Sequence, residues 1–457
     1  MISEYSLDRR TDMNKQVFNY TVIPSVVRAD EAARIRIKPL GENGKFKDGF
    51  TYKVAFRAVD TACRHYGALP TDIYEITPDG DGCLTVEHFF AGEQKHVIFI
   101  TRPEEDMRSM YYEINNHRGR FGENASVELA VYSLKSDLYG MKCYKGEVHC
   151  HTWESDGIQD AVHTVGNYRN AGYDFMAITD HFTSYASKKA MRVFSGAPVS
   201  MTLMLGEEVH VPTERIHAVH LGGRESINDY FRNHREECFA RVAEIEAGLE
   251  LPETVDKNDY AWRVFIAEKA REFGGLSILA HPFWVWSSVY FIAPAAAEQL
   301  MRDGVYDALD LLDDDMEAAV ALWADLRTDG VKIPIVGSTD SHRSIPDNPQ
   351  YAARGGYTLV FAPDRTKEAI MDAVRADRSL CVSTKSSQEF VYGSYRLVKF
   401  AKFLLDNFYP VYQKLCWGQG TVMAEYPVYG EPDEKLVSLL GMLNERSDEF
   451  SREFFGY

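Results

Sequence analysis

The residues of this chain best suited to chemistry are histidines and carboxylates that recur just past short apolar segments. They stand in Glu147-Val-His149-Cys-His151-Thr-Trp-Glu-Ser-Asp156-Gly157, Ile178-Thr-Asp180-His181, Gly206-Glu207-Glu208, Ala280-His281-Pro282 and Gly337-Ser-Thr-Asp340-Ser-His342. In an extended strand, residues two apart point the same way. His149 and His151 can therefore offer two imidazoles to one cation, and Asp340 with His342 repeats the device. Asp156 follows in a Ser-Asp-Gly turn, where Gly157 lets the backbone return the carboxylate toward the histidines. Imidazole and carboxylate together, with no thiolate at ligand spacing, suit Zn, Mn or Fe better than an iron–sulfur cluster or a cysteine-rich structural zinc. A lone strand histidine is usually ordinary packing. Here the donors outnumber what one tetrahedral ion can use, so two or three divalent ions are expected.

At these motifs the chain resembles the polymerase and histidinol phosphatase (PHP) superfamily of metallohydrolases, over roughly residues 144 to 384. The resemblance implies an α/β fold, a distorted seven-stranded (β/α) barrel whose strand ends hold a trinuclear metal site. Carried over residue by residue, it implies His149, His151, Asp156, His181, Glu208, His281, Asp340 and His342 as ligands. Asp180, next to a ligand, is expected to orient it. The remaining family ligand is a histidine shortly after the glutamate, for which His210, His217 and His220 compete. A hairpin turning at Pro212-Thr213 would bring His217 back to about the height of Glu208, so His217 is preferred, with His220 the alternative. His210 extends beyond Glu208 on the same face and could ligate or reach substrate, whereas Glu207 must face the other way.

A centre of this kind predicts a metal-dependent phosphoesterase acting on a small phosphate ester. Paired ions about 3.5–4 Å apart can share a hydroxide for in-line attack. Arg343 and Arg215 are candidates to hold the charged oxygens. Two departures bear on substrate. Phe182 follows Thr-Asp-His, where phosphatase members commonly carry a polar residue, and Phe283-Trp-Val-Trp286 follows Ala-His-Pro, where an Arg is common in nucleotide-cleaving relatives. These aromatics would suit an aromatic or sugar-like leaving group and resemble the carbaryl-hydrolase branch, in which Gly-Glu-Glu-Val also recurs. A carboxylic or carbamic ester or amide hydrolase is therefore the second expectation. A metal-dependent binding or regulatory protein is the third.

The elements that must position these residues follow from periodicity. From residue 141 to 386, strand and helix patterns alternate: helices over 161–172, 318–328 and 367–376, a helical insertion near 233–274, and strands at 175–178, 276–279, 333–336 and 380–382. Such alternation predicts a parallel barrel with its site at the C-terminal strand ends. Residues 1–140 instead show a period of two at Ala33–Lys38, Val54/Phe56 and Val127/Leu129/Val131, with turn clusters at 41–44 and 78–82. They predict an antiparallel β-sandwich-like domain that packs rather than reacts. Residues 387–457 read as helical struts ending a first helix at Pro410, or as a homo-oligomer interface.

Composition narrows the function classes. A chain of 457 residues with a formal net charge of −18 repels long polyanions, so a small-molecule substrate is expected and a long nucleic acid is not. No apolar run approaches the roughly 20 residues a membrane helix needs, and the polar start is not a secretory signal, so the expectation is cytoplasmic with no membrane partner. Seven cysteines at irregular spacing give neither a disulfide framework nor a CxxC zinc site. His65, His88, His96, His117, His163 and His234 fall outside the motifs and are assigned no chemistry.

Overall fold

Two kinds of apolar patterning build two compact units. A computed structural model describes residues 15–60, 72–101, 127–312, 315–343, 355–384 and 389–457; His65 and His117 lie outside these. One unit comprises Met1–Gly140, Lys399–Tyr412 and Ser447–Tyr457, the other Met141–Val398 and Gln413–Arg446.

In the first unit the strands are β1 (Tyr20–Ile23), β2 (Val26–Arg28), β3 (Glu31–Pro39), β4 (Tyr52–Ala58), β5 (Asp72–Ile76), β6 (Leu84–Phe90), β7 (Gln94–Thr101) and β8 (Val127–Leu134). They form a three-stranded sheet in the order β1-β3-β6 and a five-stranded sheet in the order β2-β8-β7-β4-β5. The period of two is visible in β3, where Ile35 and Ile37 are fully buried while Arg34 and Arg36 are not. Ile35, Ile37, Leu84, Val86 and Phe90 of one sheet share a core with Val54, Phe56, Ile98, Ile100, Leu129 and Val131 of the other, the face-to-face packing of a sandwich. The sandwich is not wholly antiparallel: β2 runs parallel to β8. Two helical segments belong to this unit. Phe400 and Phe403 lie 5.0 and 5.4 Å from the Tyr132 ring, and Phe408 stacks on Phe450.

The second unit contains β9 (Lys142–Glu147), β10 (Phe175–Ala177), β11 (Thr202–Met204), β12 (Gly206–Val209), β13 (Ala218–Leu221), β14 (Leu276–Leu279), β15 (Val285–Trp286), β16 (Val289–Tyr290), β17 (Ala308–Asp310), β18 (Ile335–Val336), β19 (Gly356–Ala362), β20 (Ser379–Ser383) and β21 (Phe390–Tyr392). The hydrogen bonding gives two main sheets, β11-β10-β9-β19-β20-β21 and β12-β13-β14-β17-β18, rather than one continuous parallel barrel. β9–β10–β11 and β14–β17–β18 are parallel as alternation requires, but β12–β13–β14 and β9–β19–β20 are antiparallel. The antiparallel turn between β12 and β13 is the Pro212-Thr213 hairpin. Helices Ala161–Asn170, Lys257–Glu272 and Lys367–Arg375 are each capped by an acceptor side chain, from Asp160, Asp256 and Thr366.

Two seams join the main sheets. At the first, His181 and Glu208 form an isolated parallel bridge, with the Glu208 amide donating to the Thr179 carbonyl. At the second, Cys150 bridges Ser341, the Asp340 amide donates to the His149 carbonyl and the His151 amide to the Ser341 carbonyl. Gly206 sits where the chain passes from β11 to β12. A Cβ there would lie 2.5 Å from the Ile178 carbonyl oxygen, so only glycine allows this approach.

Candidate metal centre

Both seams carry donor side chains, and the structure brings all of them together. Five overlapping groups have ligand atoms within 4.8 Å of one another: His151/Asp156/His181/His342, His149/His281/Asp340, His149/His151/Glu208, His181/Glu208/His210 and Glu208/His217/His281. All nine donors expected from the sequence are included, and His210 is added. Glu208 belongs to three groups and is the hub. Its Oε2 lies 2.6 Å from His181 Nδ1 and 3.4–3.6 Å from His149, His151 and His210, while its Oε1 lies 2.6 Å from His217 Nδ1 and 3.4 Å from His281 Nε2. Asp340 Oδ1 is 3.0 Å from His151 Nε2 and 3.4 Å from His149 Nε2. Asp156 Oδ1 faces His342 and His181 at 3.3 and 3.5 Å.

Local sequence accounts for this convergence. The Asp156 turn closes through the Gly157 amide donating to the Thr152 carbonyl, and a Cβ at Gly157 would stand 2.6 Å from the His151 carbonyl oxygen. Cys150 faces away from the cluster, toward the Ala177 carbonyl. Across the hairpin, Glu208 pairs with Val219 and Glu207 with His220, so the adjacent glutamates face opposite ways. Glu207 accepts from Ser226 Oγ and the Ile227 amide and sits 3.0 Å from His220 Nδ1, which places His220 with Glu207 and His217 with Glu208. Phe182, His281 and Asp340 have φ of 62°, 27° and 45°. Left-handed backbone at non-glycine residues is uncommon and is typically retained where a site requires it.

Three buried carboxylates brace the donors. Asp180 accepts from the Thr152 amide and hydroxyl, both at 2.6 Å, and from Ser155 Oγ at 2.7 Å. It therefore fastens the loop that carries Asp156, a different task from the expected orienting of His181. Glu147 accepts from the amides of His149 and Thr339 and so holds both sides of one seam. Asp310, at the end of β17, accepts from Ser338 Oγ and the Leu312 amide. Neither Glu147 nor Asp310 stood out in the sequence; a buried acid ending a strand of the same sheet system was the available signal. Of the two arginines considered for substrate oxygens, the structure gives main-chain contacts and exposure only. Arg215 is exposed in the hairpin turn, its amide donating to Thr213 Oγ1, and Arg343 is exposed after His342, its main chain engaged by Ser341 Oγ. Residues 344–354 beyond it lie outside the described ones.

The electrostatics are those of a cation site. Burial opposes charge throughout, yet the surrounding imidazoles hold the Glu208 and Asp340 carboxyls well below the usual carboxylate range. Burial lowers His151 and His217 to about 4, which leaves them neutral. His149 is raised to about 10, because Asp340 and Glu208 outweigh its burial. Burial pushes Glu147 to about 7 and raises Asp180 and Asp310. Ring nitrogens of His149 and His151 face each other at 3.2 Å, where only one proton could lie between them. Among the described residues, the buried Nδ1 atoms of His149, His151 and His210 have no hydrogen-bond partner. Ionised carboxylates with the Nε2 atoms of His149, His151 and His210 converging on them make a mixed nitrogen and oxygen donor set that fits divalent ions, which would displace the proton that His149 otherwise holds.

No family model and no curated protein matches the chain. Among solved structures, it is similar to a two-domain protein from Bacteroides vulgatus containing a predicted PHP-like metal-dependent phosphoesterase, at 18% identity and a TM-score of 0.37 over 53% of this chain and 66% of that one. It is also similar to a protein from Bifidobacterium adolescentis assigned as a metal-dependent phosphoesterase, at 17% identity and 0.31 over 44% and 88% of the two chains. A third is an amidohydrolase from Chromobacterium violaceum with bound sulfate, at 15% identity and 0.31 over 43% and 87%. Among the described residues, no helix is long and apolar enough to cross a membrane.

Proposed function

We propose that this chain is a PHP-type metal-dependent hydrolase acting on a small phosphate ester. One observation carries the reading: imidazoles and carboxylates from separate strand ends form five overlapping ligand groups, three of which share Glu208. One cation position is supplied by His151, Asp156, His181 and His342, and the others by His149, His281 and Asp340 and by Glu208 with His217 and His281. Two or three ions of Zn, Mn or Fe match this mixture of N and O donors. Bound there, such ions supply Lewis acidity and make water a competent nucleophile near neutral pH.

The chain's own residues do the positioning. Asp180 fixes the loop from Thr152 to Ser155, and Glu147 holds His149 and Thr339 in register. His210 Nε2 lies 2.8 Å from His181 Nδ1. His181 Nδ1 also lies 2.6 Å from Glu208 Oε2, so a proton there is shared by two acceptors and His181 Nε2 is left facing Asp156. Side chains next to ligands commonly set tautomer and orientation in this way.

A second reading, cleavage of a carboxylic or carbamic ester or amide, is favoured by the aromatic rings that stand against the donors, Phe182 on His210 and Trp284 on His217 and His281. The deciding experiment is turnover of a panel of chromogenic phosphate monoesters, diesters and carboxylic esters by protein reconstituted with each metal, beside an Asp340→Ala/His342→Ala control. Phosphate release lost in the control supports the first reading, and carboxylic ester cleavage alone selects the second. Stoichiometric metal with no turnover selects a binding or regulatory role.

A further inference from the structure

The rim of the cluster is not the same all round, and the difference points to what lies beyond the reacting group. At the Asp156/His342 end the rings that meet His342 are those of His151 and His181, with Trp153 and Ile158 exposed on the Asp156 loop. At the Glu208/His217 end the lining is aromatic. Phe182, held at φ 62°, places its ring 4.5 Å from His210 and leaves it 44% exposed. Phe291 meets His217 edge-on at 4.7 Å, and Trp284 lies 5.7 Å from both His217 and His281. Trp284 contacts Phe291 at 5.0 Å and Trp286 at 5.8 Å, and Trp286 is 65% exposed.

The last three sit on one device, the hairpin of β15 and β16, which turns at Ser287 and Ser288 with φ of 50° and 67°. It is fastened at its base, where Tyr290 donates to Asp315 and its ring meets Phe283 edge-on. A rigidly mounted exposed Trp beside a reactive centre is costly to solvate and is ordinarily kept for contact with a ligand.

We infer that Phe182, Trp284, Trp286 and Phe291 form a ring-binding subsite that holds a planar aromatic group of the substrate at the Glu208/His217 end of the cluster. This rests on the hydrolase reading and names the substrate class for it: esters whose alcohol or acyl part carries an uncharged aromatic ring. A sugar is the weaker fit. The hairpin surrounds its tryptophans with Val285 and Val289 and offers two serines at its tip, while Asp315 at its base and Arg232 beside Phe182 are already engaged, by the Tyr290 hydroxyl and the Phe182 carbonyl.

The test uses the full-length protein loaded with metal and compares phenyl with propyl probes in two independent head groups, phosphonate and hydroxamate. Binding is read by tryptophan fluorescence and by displacement, separately from turnover. All six tryptophans lie in the second unit, so the signal reports on it alone. The expected result is that each phenyl probe binds about tenfold tighter than its propyl partner, the scale of one good aromatic contact. Trp286→Ala and Phe182→Ala should each erase most of that ratio, with metal content by elemental analysis as the check on the fold. Trp286 is too exposed for its loss to unfold the chain, and Trp284→Leu adds the inner wall.

Equal binding of phenyl and propyl probes in both head groups, or a ratio untouched by Trp286→Ala and Phe182→Ala, overturns the inference. Failure of both phosphonates while the hydroxamates keep the ring preference would instead remove the phosphoester reading and leave the subsite standing.

Discussion

Two regions of this molecule bury pairs of histidines, and they use them oppositely. In the sandwich, His88 stacks on Phe56 at 4.0 Å with its Nδ1 3.0 Å from the Tyr74 hydroxyl, and His96 Nε2 lies 3.0 Å from Ser133 Oγ. Neither is ion-paired to a carboxylate among the described residues, and burial drives His96 down to about 4. In the second unit, His149 and His151 are buried as deeply, yet their ring nitrogens meet each other, Asp340 and Glu208. Burial alone produces a neutral histidine. Convergence with ionised carboxylates instead gathers imidazoles into a mixed nitrogen and oxygen donor set.

The largest effect that could break this contrast lies at its hub. Glu208→Gln removes the charge shared by three ligand groups, and should abolish stoichiometric metal and cut turnover on the order of a thousandfold or more. Elemental analysis beside kinetics checks it; retained metal would mean the cluster is not organised around this residue. Next is the buried pair behind it. His220→Ala takes the imidazole from Glu207 but leaves its donors from Ser226, Ile227 and Asn228, and should lower stability by about 1–2 kcal/mol while metal is kept, whereas His217→Ala should lose metal. Urea unfolding followed by tryptophan fluorescence, with metal content, separates the two, and metal loss in His220→Ala would reverse their roles.

The sandwich offers the converse test. His96 falls from 6.5 to about 4 in the folded chain, so the unfolded chain takes up a proton that the folded one refuses. Stability is full above about 6.5 and drains away as pH falls toward 4, by about 2–3 kcal/mol from this group. Amide exchange in β7, compared between wild type and His96→Phe at pH 7 and 4.5, should show the variant losing less on acidification. Equal losses would count against the burial account. The smallest effect is expected at Asp180→Asn, which loosens the Thr152–Ser155 loop without removing a ligand. Metal affinity should fall about 10- to 100-fold, measured by competition with a chelator, with the sandwich unchanged.

What the sequence made legible was local. Strand periodicity and residue type put His149 with His151 and Asp340 with His342, and the Pro212-Thr213 turn favoured His217 over His220, whereas the pairing of His220 with Glu207 emerged only from the fold. Long-range pairing was hidden. β19 runs antiparallel beside β9 from over two hundred residues away, and nothing in either segment specifies that partner. Pro410 did mark the end of a first helix, Tyr395–Asn407, but it also lies in the first turn of the next, Tyr409–Met423, where a missing amide hydrogen matters little. The β15–β16 hairpin turns on two serines rather than the Asn-Gly that usually signals left-handed backbone. Asp180 could be seen, but its partners Thr152 and Ser155 could not, since only the fold brings that loop over it.

The seams between the two main sheets of the second unit have a bearing on how the protein comes into being. Each is a few backbone hydrogen bonds long, and each is lined by ligands contributed from both sides, His181 against Glu208 and His149 and His151 against Asp340. Ions held there would be stitches as well as reagents. Maturation of the newly made chain and its supply of metal then become one process: sheets completed in a metal-poor cell would have their margins unfastened, and a chelator would expose the chain to proteolysis at these joints before it silenced a well-folded enzyme.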